Sequence, residues 1–451
     1  MPYSSRSTGL PVRRLAGVPA GFRRPVAGLL GSVLAGLLWG AAPGAQAQLR
    51  YDTEYPEIGY GKTLPDDGFS RLLAGLEAKG ESLTHDGTAR GFLEALLQAL
   101  DIDASSQVLV FSKSSLKQRF ITPANPRALY FNDDVYVGFV RGGDVLEISV
   151  ADPGLGTVFY TLQQQPAERA VFQRRIDDCL LCHGGREPQH VIRSVHPDAD
   201  GQPILAAGTV RVDHTTPLAR RWGGWYMSGE PPADASMANR IYRERGTDPV
   251  PLDADRPFGE RFRAGRYLSP HSDLVAATVL VHQAAAHNAI TRAAFDVRRA
   301  LHRDAELNRE LQEPADRRWP STDKVLDGSA ADLVDCFLYL GEPALAGPIT
   351  GDSGFAADFA AGGPRDARGH SLRDLDLRTR TFRHPCCHLV HGASFAALPA
   401  ELRRRFWGRM AAVLAGREPA AKYQRLSAAD REAIRAILLG TRPEGETIWL
   451  E

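Results

Sequence analysis

Cysteine is scarce in this chain, with five in 451 residues. Two of the five fall in one short stretch, "DDCLLCHGG" at 177–185. A structural zinc needs four ligands, typically as two separated pairs. Only one other region, around Cys336, Cys386 and Cys387, could supply the second pair. A net excess of charge is also missing, since 54 basic residues balance 54 acidic ones. That removes any broad electrostatic attraction for nucleic acid or acidic lipid. No P-loop, dinucleotide fingerprint or Ser-His-Asp constellation offers competing chemistry. There is no internal repeat, and beyond the N-terminal region no stretch approaches a transmembrane length.

The N-terminal region has the pattern of an export signal. Arg6, Arg13, Arg14, Arg23 and Arg24 form a basic leader, and Val26 to Ala42 is uncharged and apolar. Ala45-Gln46-Ala47 is a small-x-small cleavage site, which predicts a periplasmic chain cut after Ala47 with no stable membrane anchor. Removing five arginines leaves 49 basic against 54 acidic residues, a formal charge of about −5.

Export bears on the reading of Cys179-Leu180-Leu181-Cys182-His183. C-x-x-C-H is the attachment signature of c-type haem. The two thiols add to the porphyrin vinyl groups, and the following histidine reaches the iron from the proximal side. All three groups must meet one macrocycle from a single helical turn, so the spacing is tight. A thioredoxin-type dithiol would instead sit at a strand-to-helix turn in a βαβ unit. Here a helical run precedes the motif and a glycine-rich loop follows it. On these residues the chain resembles c-type cytochromes. The implied cofactor is one covalent haem c held by Cys179 and Cys182, with His183 on the iron.

The surroundings are not those of a small all-helical cytochrome. Residues 66–100 carry apolar side chains at helical spacing. The stretch from Val108 to about Gln164 has the pattern of a β-meander, with turns at Gly142-Gly143 and Asp152-Pro153-Gly154. "HVIRSVH" and "PILAAGTVRVD" predict a hairpin after the motif. A long helix is expected from an N-cap at Ser269, with Pro270 in its first turn, to about Asp304. "DLVDCFLYL" predicts a short helix at 332–340, and residues 341–383 a long surface segment. A helix follows Pro399, and Ser427 with Asp430 forms a capping box for the last one, closed at Gly440. The expected class is α+β: an antiparallel β-meander flanking the haem motif, then a long helix and a helical C-terminal region. The expected organisation is 1–47 signal peptide, 48–260 α+β haem-bearing domain, and 261–451 a mainly helical region packing on it. Meander, post-motif hairpin and haem are expected in and beside one sheet.

The stretches "PRALYFNDDVYVGFV", "CLLCH", "HPDADGQPILAAGT", "RWGGWY", "SPHSDLVA" with "HQAAAHN", and "RDLDLRTRTFRHP" resemble a group of uncharacterised, exported, single-haem cytochrome-c-like bacterial proteins. That resemblance implies no particular activity. The β-rich flanks of the motif also resemble periplasmic haem-binding PAS-like sensor domains.

The ligand opposite His183 decides what the haem does, because a second strong ligand favours electron transfer and an open site permits small-molecule chemistry. On the long helix, His282 sits among Val275, Thr278, Val279 and Ala286 and is the first candidate for the distal iron ligand; His287 and then Met227 follow. His271 and His282 share a face but lie about 16 Å apart, so at most one serves the iron. Cys336 with Cys386 or Cys387 could form a disulfide, and "HPCCHLVH" could hold a metal. The arginines from Arg365 to Arg383 could pair with haem propionates, dock an acidic partner or form a solvated, salt-bridged surface. Electron transfer with a redox partner protein is the expected function. The alternatives are a haem enzyme, peroxidase-like or acting on a small substrate, and a haem-based gas or redox sensor.

Overall fold

Alternating apolar side chains from Val108 onward build a sheet with two buried faces. In the computed structural model, which describes residues 53–231, 236–245, 247–252 and 258–442, seven antiparallel strands lie in the order β6-β5-β4-β3-β2-β1-β9. They are β1 (Val108–Val110), β2 (Arg127–Phe131), β3 (Val135–Phe139), β4 (Val145–Asp152), β5 (Gly156–Gln163), β6 (Phe172–Arg175) and β9 (Trp225–Tyr226). The expected turns are present. Gly142 has φ +81°, and Asp152 Oδ1 accepts from Gly154 N and Leu155 N, each at 2.7 Å. The hairpin after the motif differs from expectation. Its strands β7 (Arg193–Val195) and β8 (Thr209–Arg211) pair only with each other, and only β9 joins the large sheet, beside β1. A further two-stranded ribbon joins β10 (Tyr242–Arg243) to β11 (Val250–Pro251).

Each face of the sheet has its own apolar core. Tyr130, Val137, Ile148 and Tyr160 pack against helices α1 (Gly68–Lys79) and α2 (Leu93–Ala99). On the opposite side, Val108, Val110, Phe131 and Tyr136 join a core made by helix α4 (Leu274–Glu310) with α5 (Pro320–Phe337), α6 (Phe355–Ala361), α7 (Ala393–Ala396), α8 (Ala400–Leu414) and α9 (Ala428–Gly440). The short helix α3 (Asp178–His183) carries the C-x-x-C-H motif directly after edge strand β6. The fold is therefore α+β, with two helices and the meander before the motif and the long helix and C-terminal helices after it. The expected signal peptide lies outside the described residues. Among the described residues no helix is long and apolar enough to cross a membrane.

Helix α4 starts four residues later than Ser269 predicts as its N-cap. The cap is Asp273, whose Oδ1 accepts from Ala276 N at 2.9 Å. Ser269, Pro270 and Ser272 run upstream as a stitch across the sheet edge. Gln107 Nε2 donates to Ser269 O and His271 O, and the Ser272 hydroxyl accepts from Leu109 N and donates to Tyr226 O. The second carboxylate oxygen of Asp273 accepts from Asp352 N, Ser353 N and the Ser353 hydroxyl at 2.8–3.0 Å.

Glycine at 351 is what lets that loop approach. A Cβ there would stand 2.4 Å from Asp273 Oδ2 and 2.6 Å from Oδ1. We expect Gly351→Ala to lower unfolding free energy by about 1–3 kcal/mol in urea titrations. Gly75→Ala, in α1 with open space around it, should be neutral or stabilising by up to about 1 kcal/mol. Equal stability of Gly351→Ala and the parent would refute the packing argument.

Candidate functional site

Helix α3 leaves the sheet edge with Leu180 as its buried anchor. Cys179 is half-buried, while Cys182 and Leu181 are exposed. Both thiols are free. Burial pushes the Cys179 thiol up to about 12, aided by the Glu147 carboxylate. A redox dithiol needs the opposite, a thiol lowered toward neutral pH. Burial also holds His183 down at about 4, so its imidazole is neutral at pH 7, the form that binds metals. The ring packs on Phe159 with centroids 4.9 Å apart. Its Nδ1–H donates to Gln189 O at 3.0 Å, and Gln189 N donates back to His183 O at 2.9 Å. Nε2 makes no hydrogen bond among the described residues. A ring fixed through Nδ1 with Nε2 bare is the arrangement of a metal-ligating histidine. Three large apolar residues are exposed close by in sequence: Val171, Ile176 and Leu181. The donor types, two free thiols one helical turn apart and a histidine fixed through Nδ1, are those a covalently held haem would require.

His282 does not fit its expected role as distal ligand. It is buried, with Nδ1 2.9 Å from Thr278 O and Nε2 2.9 Å from Glu342 Oε1. Both ring nitrogens are therefore engaged inside the core, one by a backbone carbonyl and one by a carboxylate. Burial works to raise the Glu342 carboxyl. The charge and hydrogen bond of His282 and the Thr381 hydroxyl outweigh it and hold the group at about 2. His287 donates from Nε2 to Asp133 O at 2.8 Å, and its buried Nδ1 has no hydrogen-bond partner among the described residues. Met227 packs in the core on the α4 side of the sheet, and the Met237 sulfur accepts from the Ser194 hydroxyl at 3.6 Å.

The other expected clusters separate. His384 faces Asp374 and lies tilted beside His370, His388 faces Asp133, and His391 bonds the Thr441 hydroxyl. Cys336, Cys386 and Cys387 are free thiols on the α4 side, away from the core that α3 joins. Among the described residues no three His, Cys, Asp or Glu side chains are grouped to hold a metal ion. The arginines mostly form salt bridges: Arg365 with Asp374, Arg368 with Asp366, Arg380 with Asp430, and Arg373 with Asp133. Trp225 and Tyr226 are tied into the core, their polar tips donating to Arg193 O and Pro123 O.

Sequence reasoning missed Asp133. Burial works to raise its carboxyl, but His388 and Arg373 hold it far below the usual range. It lines a cleft of about 570 Å³ with Phe131, Asp134, Phe355, Phe359 and Arg373. In sequence Asn132-Asp133-Asp134 signals only a turn, and nothing local marks partners some 240 residues away. Comparison with protein-family models, curated proteins and solved structures finds no match.

The His282–Glu342 pair sets an acid limit on stability. Because Glu342 is depressed in the folded state, its contribution is complete above the ordinary value of 4.5 and lost as pH falls toward about 2. The shift corresponds to on the order of 3 kcal/mol. Unfolding free energy should therefore drop steeply between pH 4.5 and 2 in the parent. Glu342→Gln should be less stable at pH 7 and lose less over that interval. Parallel pH profiles for the two proteins would contradict this assignment.

Proposed function

We propose that the chain is an exported c-type haem protein that transfers electrons through one covalent haem to a redox partner protein. The observation that carries the reading is His183, neutral, held through Nδ1 and bare at Nε2, one residue after two free thiols spaced i, i+3. Cys179 and Cys182 would form the thioethers, and His183 would ligate the iron. When bound, the haem supplies one-electron exchange at a potential set by its axial ligands and surroundings. The chain's own part is to keep the His183 imidazole oriented and unprotonated and to close the sheet side of the site with Phe159 and Leu180. Export belongs to the same proposal, because the attachment chemistry takes place outside the cytoplasm.

A second reading, a haem enzyme or gas sensor, is favoured by the double engagement of His282. The first-ranked strong ligand for the opposite face is committed elsewhere, and an open iron site admits small molecules.

Protein recovered from an exporting, haem-attaching host should keep a peroxidase-active band after denaturing electrophoresis. Cys179→Ala with Cys182→Ala should abolish that band. Correctly exported protein that contains stoichiometric zinc and no haem would sink the proposal. Ferric and CO-treated ferrous spectra separate its two versions. A low-spin, CO-silent protein supports the carrier, and a high-spin, CO-binding one the enzyme or sensor. In either case His282→Ala should leave both spectra unchanged while lowering stability. A spin-state change in that variant would return His282 to the iron.

A further inference from the structure

The loop after the motif, residues 184–190, is held from α4 at the point that orients His183. Asn288 Oδ1 accepts from His190 N at 2.8 Å, and Asn288 Nδ2 donates to His190 O at 2.8 Å. His190 N and Gln189 O belong to one peptide group. A peptide is planar, so fixing its N–H fixes the direction of its carbonyl. That carbonyl is the acceptor of His183 Nδ1–H at 3.0 Å. The result is one chain of bonds: Asn288 Oδ1, the 189–190 peptide, His183 Nδ1. Bonds in series through a peptide polarise one another, so an acceptor at one end strengthens the bond at the other.

The remaining ties of the loop act elsewhere. Arg292 pairs with Glu187 Oε1 at 3.1 Å, and Arg211 donates to the Gln189 side chain at 2.7 Å. The His190 ring packs on Tyr136, centroids 4.5 Å apart, with Nδ1 3.0 Å from the Ser149 hydroxyl. None of these grips the 189–190 peptide. Asn288 does so one residue after His287, on the helix whose register Asp273 sets.

We propose that Asn288 is a positioning residue for His183, tuning the electron donation of its Nε2 through the 189–190 peptide. This rests on the haem reading above. A stronger bond at Nδ1 makes the imidazole a better donor and favours ferric iron. Loosening the peptide should favour ferrous iron. A partner of this kind contributes about tenfold or more to metal affinity, and the potential moves by the part of that which falls on ferric iron alone. A tenfold change in the ferric-to-ferrous ratio is roughly 59 mV for one electron.

The experiment is a redox titration of the haem-loaded full chain, with Tm measured on the same samples. Asn288→Ala should raise the potential by about the amount above. Asn288→Asp keeps an acceptor for His190 N and makes it anionic, so its potential should fall below the parent value. Asp304→Asn, which weakens the far end of α4 where Asp304 accepts from Thr322 and Arg318, should lower Tm without moving the potential. A purely structural role for Asn288 predicts lower Tm in both variants and an unmoved potential, and that result overturns the inference. If Asn288→Ala fails to retain haem, the Asp variant decides alone: a potential below the parent supports the inference, and an unmoved or raised one overturns it. A parent protein that never acquires haem defeats the haem reading itself, and this inference with it.

Discussion

The Asp273 carboxylate is fully buried, and it fixes where α4 begins. Burying an ion costs several kcal/mol unless its lone pairs are met. Here four donors meet them: Ala276 N at the helix start and three groups of the Asp352–Ser353 loop. Hydrogen bonds to a charged group contribute about 1.5–3 kcal/mol each, enough in sum to offset that cost. The positive end of the helix dipole adds to the same balance. Removing Asp273 would expose the orphan amides of α4 and release the 350s loop in one step. The carboxylate also fixes the helix register. His282, His287 and Asn288 stand roughly 13–22 Å further along the axis, each turned toward a different partner.

That register matters because α4 is not a simple amphipathic helix. From Leu274 to His287 almost every side chain is buried, including Thr278, His282, Gln283 and His287. A polar group in such a place must find its bond or lose stability. Each of these finds at least one: Thr278 with Leu274 O, His282 with Glu342, Gln283 and His287 with the carbonyls of the Asn132–Asp133 turn. Sliding the helix by one residue would break the bonds that leave it, those of His282, Gln283 and His287, together. The same turn is held from its other side by Arg373 and His388 on the Asp133 carboxylate. The sheet, the central helix and the late loops therefore specify one another through polar bonds, while the apolar cores supply most of the drive to fold.

Local chemistry was legible in the sequence, and long-range chemistry was not. The meander, its Gly-Gly and Asp-Pro-Gly turns, and the start of α9 follow from neighbouring residues alone. Ser427 and Asp430 make both bonds of their capping box, although Gly440 is the last helical residue and Thr441 the cap. Helix α5 was read as 332–340 but begins at Pro320, where proline suits a first turn and the polar residues before Leu326 disguised it. Residues 341–383 read as surface because they are rich in Gly, Asp and Arg. They include buried Glu342, Ile349, Phe355, Leu372 and Phe382, and supply the partner of His282 from 60 residues away. An apolar stripe around a histidine resembles a ligand pocket until that partner is known. Ser269 looked like a cap because Ser-Pro is a strong local signal. Asp273 won because its carboxylate reaches both the helix amides and a loop some 80 residues on.

The choice among chemistries for Cys-Leu-Leu-Cys-His turns on the same distinction. The motif allows haem, zinc or a dithiol, and the surroundings bear unequally on the three. A dithiol needs an activated thiol, whereas Cys179 is pushed the other way by burial and Glu147. Zinc needs a second pair of ligands, whereas the other three cysteines belong to the core on the far side of the sheet. Haem needs a neutral histidine aimed by its own Nδ1–H, two unpaired thiols one turn apart, and apolar surface for a macrocycle to cover. His183, the pair Cys179 and Cys182, and the exposed Val171, Ile176 and Leu181 supply those three requirements from thirteen consecutive residues, with Gln189 aiming the ring from six positions further on. Under the proposed haem reading the local segment would carry the donor set, and the long helix would add the restraint on how the donor is aimed.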